Sequence, residues 1–292
     1  MTMTLLILLI LRMSLVCSDS HILRYYYTGV SAAGSGLPEF SVVGYVDNHQ
    51  IVNYDSKTRQ VRPVASWMNK VESEFWEVET EVCKACESIF KHFVSSTMAR
   101  LNQTGGFHFF QDVYGCQLDD DGSITGFDQL GYDGRDFIYL DTQSWIYIPI
   151  TNEAQMTTQL WNSPEVREGE QHKAFVENKC VEYLKKHIDN GREELEKRVR
   201  PEVKVWGNHQ SDDVTRLQCL VYGFHPRPVD VKWVRNGEDH VPSDEMTPIL
   251  PHPDGTYRIR VSVEVPTSGG DTYACHVDHS SLEDVLAVKW GE

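Results

Sequence analysis

Residues 102–136 read NQTGGFHFFQDVYGCQLDDDGSITGFDQLGYDGRD, and the rest of the chain is organised around them. The segment opens on a glycosylation sequon at Asn102 and a Gly-Gly break, then alternates as a strand into Cys116. Its tail repeats an earlier stretch: GYDGRDFIYLD (131–141) echoes GYVDNHQIVNYD (44–55) with one residue of slack. Upstream of each copy lies an aromatic-rich strand, RYYYTGV from Arg24 and FHFFQDV from Phe107, and downstream of each lies a long helical pattern. A repeat of about ninety residues is too long for a solenoid unit and reads as a half-domain made twice, with 102–106 as the seam.

In the first half, alternation puts Tyr25 and Tyr27 on one face and Tyr26 and Thr28 on the other. A turn at Asp47-Asn48-His49, the strand IVNYD and a fourth short strand near 60–64 lead into a helix expected over about 67–101. Its apolar stripe has helical spacing: Phe75, Val82, Cys83, Cys86, then Ile89, Phe90 and Phe93. The second half repeats the plan with strands from Phe107, Ser123, Phe137 and Trp145, then a helical stretch over 152–195. Pro164 and Gly169 should break that stretch, leaving 171–190 continuous. Two four-stranded halves, each closed by a helix, join most simply into an α+β platform: one eight-stranded antiparallel sheet carrying two long helices on one face. Helices side by side on a sheet leave a groove, and a ligand would sit there.

Cys116 lies on the first strand of the second half and Cys180 on its helix. A bond between them would pin helix to sheet. Cys116 would then face the helices, and by alternation so would Phe110, Asp112 and Tyr114, while Gln111 and Phe109 face away.

From Arg200 a different pattern begins. Short alternating strands carry Cys219, Trp233 and Cys275, with Tyr273 two residues before the last cysteine. That matches an immunoglobulin sandwich of constant type, with Cys219 and Cys275 bridging the sheets, a tryptophan on the bridge and a tyrosine corner.

The net charge of −16 argues against nucleic-acid binding and for an extracellular surface. The start, MTMTLLILLILRMSLVCSDS, reads as a signal peptide over 1–18, too short to span a membrane. Seven cysteines in such a chain point to disulfides, and six remain once Cys17 leaves with the signal. No further stretch has the length of a membrane helix, so the expected location is extracellular, as a secreted form or an ectodomain cut before an anchor.

The motifs SHILRYYYT, NQTGG, YGC, YDGRDFI, CVEYLKKH, RPEVKVWG, GFHPRPVDVKW, DGTY and YACHVDH together resemble the heavy chain of major histocompatibility complex class I. The resemblance covers essentially the whole mature chain and implies platform halves at 19–105 and 106–199 and an immunoglobulin-like domain at 200–292. It also implies β2-microglobulin beneath the sheet, against Tyr26, Thr28, Gln111 and the turn at Gly134 and Asp136, and a glycan on Asn102. In peptide-presenting members a tyrosine cluster binds the peptide's free amino group. Here Tyr25 survives, but Phe75, Phe175 and His187 stand where those members have tyrosine. Each lost hydroxyl removes a hydrogen bond of roughly 0.5–1.5 kcal/mol net. At the carboxylate end Arg100 occupies the position that is tyrosine in mammals and arginine in many other vertebrates, which implies a non-mammalian source. Trp161 and Thr157 (or Thr158) match that end, whereas the expected lysine is Leu160. Tyr183 completes the lining. The resemblance therefore points to a nonclassical, class Ib-like member with an apolar groove.

Other features carry less. Cys83-x-x-Cys86 sits mid-helix, where an i,i+3 disulfide is strained and no second ligand set is near, so two packed thiols are the plain reading. Twelve histidines are scattered, and the acidic run 119–121 reads as a hairpin turn, not a calcium loop. The acidic loop Gly237 to Glu245 corresponds to the family's CD8-contacting loop, and a solvated loop is the equal alternative. No nucleophile–base pair, metal set or phosphate loop has interpretable spacing, so the chain is read as a non-enzyme that needs neither cofactor nor metal. Three functions remain in competition: ligand display to a T-cell receptor, ordinary peptide presentation to CD8 T cells, and a ligand-free recognition module for an immune receptor.

Overall fold

A computed structural model describes residues 20–31 and 36–291, so the signal-peptide reading at 1–18 lies outside the described residues. The chain forms two compact units that divide between Asn190 and Gly191.

The first unit is built on an eight-stranded sheet in the order β4-β3-β2-β1-β5-β6-β7-β8. Its strands are β1 (His21–Val30), β2 (Phe40–Val46), β3 (His49–Asp55), β4 (Arg62–Pro63), β5 (Phe109–Leu118), β6 (Ile124–Tyr132), β7 (Arg135–Asp141) and β8 (Ile146–Pro149). The repeat seen in the sequence becomes geometry at the centre, where β1 and β5, the first strands of the two halves, pair antiparallel. Their register sets Tyr25 opposite Tyr114, Tyr27 opposite Asp112 and Leu23 opposite Cys116. Side-chain alternation then fixes the faces: Tyr25, Tyr27 and Phe110 are buried, while Tyr26 and Gln111 are exposed.

The first helical stretch is not one helix. A 3₁₀ turn over Ser66–Lys70 buries Trp67 and Met68, and Val71 and Glu72 are extended before helix α1 (Ser73–Arg100) begins. After α1, Asn102 is exposed in the left-handed conformation that ends helices, where asparagine is tolerated in place of glycine.

The second stretch has three helices, α2 (Gln155–Trp161), α3 (Glu168–Ala174) and α4 (Val181–Leu195), with a π turn over Phe175–Cys180 between the last two. Pro164 falls in the break, as expected. Gly169 does not break the helix; it lies in the first turn of α3, where a Cβ would collide with Trp145 O. This glycine serves a close approach of the helix to the turn before β8, not a stop. The Cys116–Cys180 bond joins β5 to the π turn, with Cα atoms 6.1 Å apart.

The second unit is a sandwich. One sheet holds β9 (Glu202–His209), β10 (Val214–Phe224), β13 (Glu245–Met246), β14 (Leu250–Pro251) and β15 (Tyr257–Pro266). The other holds β11 (Asp230–Arg235), β12 (Asp239–Val241), β16 (Tyr273–Asp278) and β17 (Leu286–Lys289). Cys219 on β10 bonds Cys275 on β16, and buried Trp233 donates its indole N–H to Val261 O at 3.2 Å. The core around them is aliphatic: Leu217, Val221, Val231, Ile259, Val261, Val263 and Val277.

Candidate functional site

The groove floor is supplied by alternate residues of three neighbouring strands, and its walls by α1 on one side and α2 to α4 on the other. Tyr25 and Tyr114 stack at 5.6 Å between ring centroids, and the Tyr27 and Tyr114 hydroxyls share a hydrogen bond of 2.9 Å. Phe90 of α1 lies on Tyr27 at 5.7 Å. Between Tyr25, Tyr27, Val52, Tyr54, Glu79 and Cys83 a cavity of about 10 Å³ remains, room for about one water.

Both ends of the groove are bridged by side chains. At one end Phe75 of α1 meets Tyr183 at 5.3 Å and His187 at 5.9 Å, both from α4. Glu72 pairs with Lys186, and Lys70 Nζ donates to Asn190 O at 2.9 Å. At the other end Phe93 of α1 meets Trp161 of α2 at 5.7 Å, and Trp161 packs on Tyr147 of β8 at 4.8 Å. Phe110 lies beneath Phe93 at 5.4 Å. Arg100 closes this end, donating from Nη1 to Thr157 Oγ1 at 2.9 Å and to Glu153 O at 3.1 Å. Between the bridges, Cys86, Asp112, Tyr114 and Phe175 are half-buried, and these residues mark the open centre.

Two residues of the expected stripe, Val82 and Ile89, stand elsewhere. Val82 is 42% exposed and lines up with exposed Val78 and Ile89 along the solvent-facing edge of α1, while Cys83 is 3% exposed. One helical position is a rotation of about 100°, enough to carry a side chain from wall to rim.

The electrostatics follow burial. Desolvation pushes the Cys83 thiol up to about 12 and the Cys86 thiol up to about 11, the latter helped by Asp112. Both are unbonded and stay protonated, hence unreactive. His187 is 1% exposed, neither ring nitrogen has a hydrogen-bond partner, and burial lowers its pKa to about 4. It is therefore neutral at pH 7. Burial, and then the neighbouring Asp128, hold the Asp112 carboxyl well above the usual carboxylate range. Asp128 accepts from the Tyr147 hydroxyl at 2.6 Å, and His172 Nδ1 lies 3.4 Å from the same carboxylate.

Glu79, Asp128, Tyr147 and His172 belong to the site and escape a reading of the sequence. Glu79 lies four residues from both Phe75 and Cys83, so helical spacing alone could have found it. Asp128 and Tyr147 need the strand register, and His172 needs the position of the helix break.

On the opposite face of the sheet, Tyr26, Gln111, Gln129, Gly134 and Asp136 surround a concavity of about 270 Å³, with Thr28 half-buried on that side. In the second unit the loop from Gly237 to Glu245 is exposed, but several of its carboxylates are engaged: Asp239 with Arg235, Asp244 with the Glu264 N–H, and Glu245 with Arg216 and Arg260. Among the described residues no helix is long and apolar enough to cross a membrane.

Comparison with known proteins follows the same division. Residues 19–195 match the family model described as class I histocompatibility antigen, domains alpha 1 and 2, and residues 206–282 match the immunoglobulin C1-set domain. The chain is 36% identical over 273 residues to the class I histocompatibility antigen F10 alpha chain of Gallus gallus, covering 93% of this chain and 78% of that one. It is 34% identical over 281 residues to the major histocompatibility complex class I-related protein 1 of Bos taurus, covering 96% and 83%. It is 35% identical over 294 residues to the RLA class I histocompatibility antigen, alpha chain 11/11, of Oryctolagus cuniculus, covering 97% and 80%.

Proposed function

The chain belongs to the class I histocompatibility antigen family, and from that premise we propose that it is a nonclassical display molecule whose ligand is confined to the centre of the groove. The observation that carries this reading is the pair of bridges: Phe75 against Tyr183 and His187 at one end, Phe93 against Trp161 at the other. An extended peptide with free termini needs both ends. Its amino group would meet Phe75, Phe175 and a neutral His187 in place of phenol hydroxyls, and its carboxylate would compete with Thr157 and Glu153 for Arg100. A neutral His187 still offers one acceptor nitrogen, but Phe75 and Phe175 offer none, so a buried ammonium there would make fewer hydrogen bonds than it gives up in water. A compact ligand against Cys86, Tyr114 and Phe175 avoids both penalties.

The partners follow from the same reading. The exposed face at Tyr26, Gln111, Gly134 and Asp136 is the seat of β2-microglobulin, and the tops of the helices meet a T-cell receptor. The exposed Asn102 carries a glycan. No CD8 contact is included, because the carboxylates of the 237–245 loop are largely engaged within the sandwich.

The test is co-expression of residues 19–292 with β2-microglobulin in animal cells, elution with acid and with organic solvent, and mass spectrometry of the eluate. Compact non-peptide or short ligands support the proposal. A ladder of peptides of uniform length overturns it in favour of ordinary presentation. A paired complex that yields nothing moves the function to the outer helix faces and a ligand-free recognition role.

A further inference from the structure

At the open centre of the groove, the floor holds two carboxyl groups where an apolar ligand site needs none. Asp112 on β5 and Asp128 on β6 project from the same face of the sheet and lie within hydrogen-bonding reach of each other. Asp128 is nine-tenths buried. Its Oδ2 is occupied by the Tyr147 hydroxyl and approached by His172, but its Oδ1 receives no donor, and neither does Oδ1 of Asp112. Two carboxyl groups in contact with no other donor between them favour one shared proton, the direction in which burial and Asp128 push Asp112. Asp112 is the half-buried member of the pair as a residue, while its Oδ1, like that of Asp128, is buried.

Resting on the display reading above, we infer that the groove centre binds a compact ligand with an apolar, aromatic-compatible body and one cationic nitrogen, an amine or guanidine, seated on Asp112 and Asp128. The surroundings fit that class. Tyr114 and Phe175 pack edge to face at 5.7 Å and give the body an aromatic wall, and Cys86 adds a neutral thiol. Charge-assisted hydrogen bonds from an ammonium or guanidinium to two carboxylates are stronger than neutral ones, and a desolvated site sharpens the difference. Binding exchanges the cation for the proton: the pair releases H⁺ to solvent, and the ligand nitrogen takes its place against the two carboxyl groups.

The ionisable groups facing the pair are Tyr27 from β1, Cys86 from α1, Tyr114 from β5, Tyr147 from β8, and Glu168 and His172 from α3. Burial raises Tyr27, Cys86, Tyr114, Tyr147 and Glu168 and lowers His172, in each case toward the neutral form. None supplies a competing cation. Amine affinity should accordingly rise with pH, as the proton on Asp112 becomes easier to displace.

The experiment uses the β2-microglobulin complex of residues 19–292 and two probes of one shape, 4-phenylbutylamine and 4-phenylbutan-1-ol, in titration calorimetry at pH 7.5. The amine should bind about tenfold or more tighter than the alcohol. The dependence of its enthalpy on buffer should show about one proton released per amine bound. Asp112→Asn keeps the shape of the site and should bring the two affinities together with no proton release; Asp128→Asn is the second variant should the first misfold. Equal affinities in the wild type, a preference that survives Asp112→Asn, or no binding by a paired and cooperatively melting complex would each overturn the inference while leaving the display reading standing. Failure of the wild-type chain to pair would overturn both.

Discussion

Around Trp233 the sandwich is filled by aliphatic side chains, and its buried polar groups are mostly answered. The indole donates to Val261 O, Thr215 bonds His209 and Thr267, and His279 bonds Ser281 and Pro226 O. Around Asp112 and His187 the platform does the opposite. His187 buries two imidazole nitrogens without partners, and Asp112 and Asp128 have at Oδ1 no donor beyond each other, beside a ring of aromatics. A buried polar atom left unsatisfied costs about 1–3 kcal/mol. A structure keeps such atoms where something other than stability decides the residue, and that difference marks the platform interior as a site and the sandwich interior as a scaffold.

The most direct way to break the comparison is to remove the sandwich's central side chain. Trp233→Ala should cost about 3–5 kcal/mol, because neighbours close only part of the cavity and the Val261 carbonyl loses its donor. Urea unfolding with and without the substitution measures it. A loss below about 1 kcal/mol would mean that the sandwich core is not a tightly packed scaffold.

The platform should respond in the reverse sense to losing its polar atoms, and pH exposes the sign. The folded-state pKa of His187 is depressed to about 4 against an ordinary 6.5. Between those values the unfolded chain binds a proton that the native one refuses, so stability falls as pH drops from about 6.5 to about 4, by up to about 3 kcal/mol at 1.36 kcal/mol per unit. Asp112 runs the other way. Its raised value makes the native state the better proton binder, so its contribution improves as pH falls. The two trends offset in the wild-type curve, and the difference between wild type and His187→Phe isolates the histidine. At pH 7 that substitution should stabilise the platform by about 1–3 kcal/mol by deleting two unpaired nitrogens from a near-isosteric ring. The gain should grow as the pH is lowered toward 4.5. A loss at pH 7 would show that His187 has a structural partner and is not kept for a ligand.

The platform was legible where a period or a repeat carried the information. The echo of 44–55 in 131–141 predicted two halves, and the alternation through Cys116 assigned Phe110, Asp112 and Tyr114 to the helix side, where they stand. The sandwich was legible from Cys219, Trp233, Tyr273 and Cys275 because few folds require that spacing. What escaped depended on register or on local backbone. Asp128 enters the site only through the pairing of β6 with β5, and the π turn at Phe175–Cys180 adds a wider helical turn that no residue spacing announces. Gly169 misled for a related reason. A glycine that permits close contact with Trp145 has the same letter as one that ends a helix.

The smallest predicted effect tests the boundary between wall and rim. Val82 and Cys83 are neighbours in sequence, and an apolar stripe drawn from residue types alone includes both. Their exposures, 42% and 3%, separate them. Val82→Ser exchanges one indifferent helix former for another on a solvent-facing edge, so stability should move by no more than about 0.5 kcal/mol. Cys83→Ser instead puts a stronger hydroxyl dipole among Tyr25, Tyr27 and Val52, and should cost about 1–3 kcal/mol unless Tyr27 accepts the new hydrogen bond. Thermal melts of the two variants side by side read the contrast. If Val82→Ser cost as much as Cys83→Ser, the wall would reach the outer edge of α1 and the open centre would be wider than the bridges imply. If it is neutral, the apolar edge of Val78, Val82 and Ile89 is free to face whatever meets the top of the platform, and the ligand is left to Cys86, Tyr114, Phe175 and the carboxyl pair beneath them.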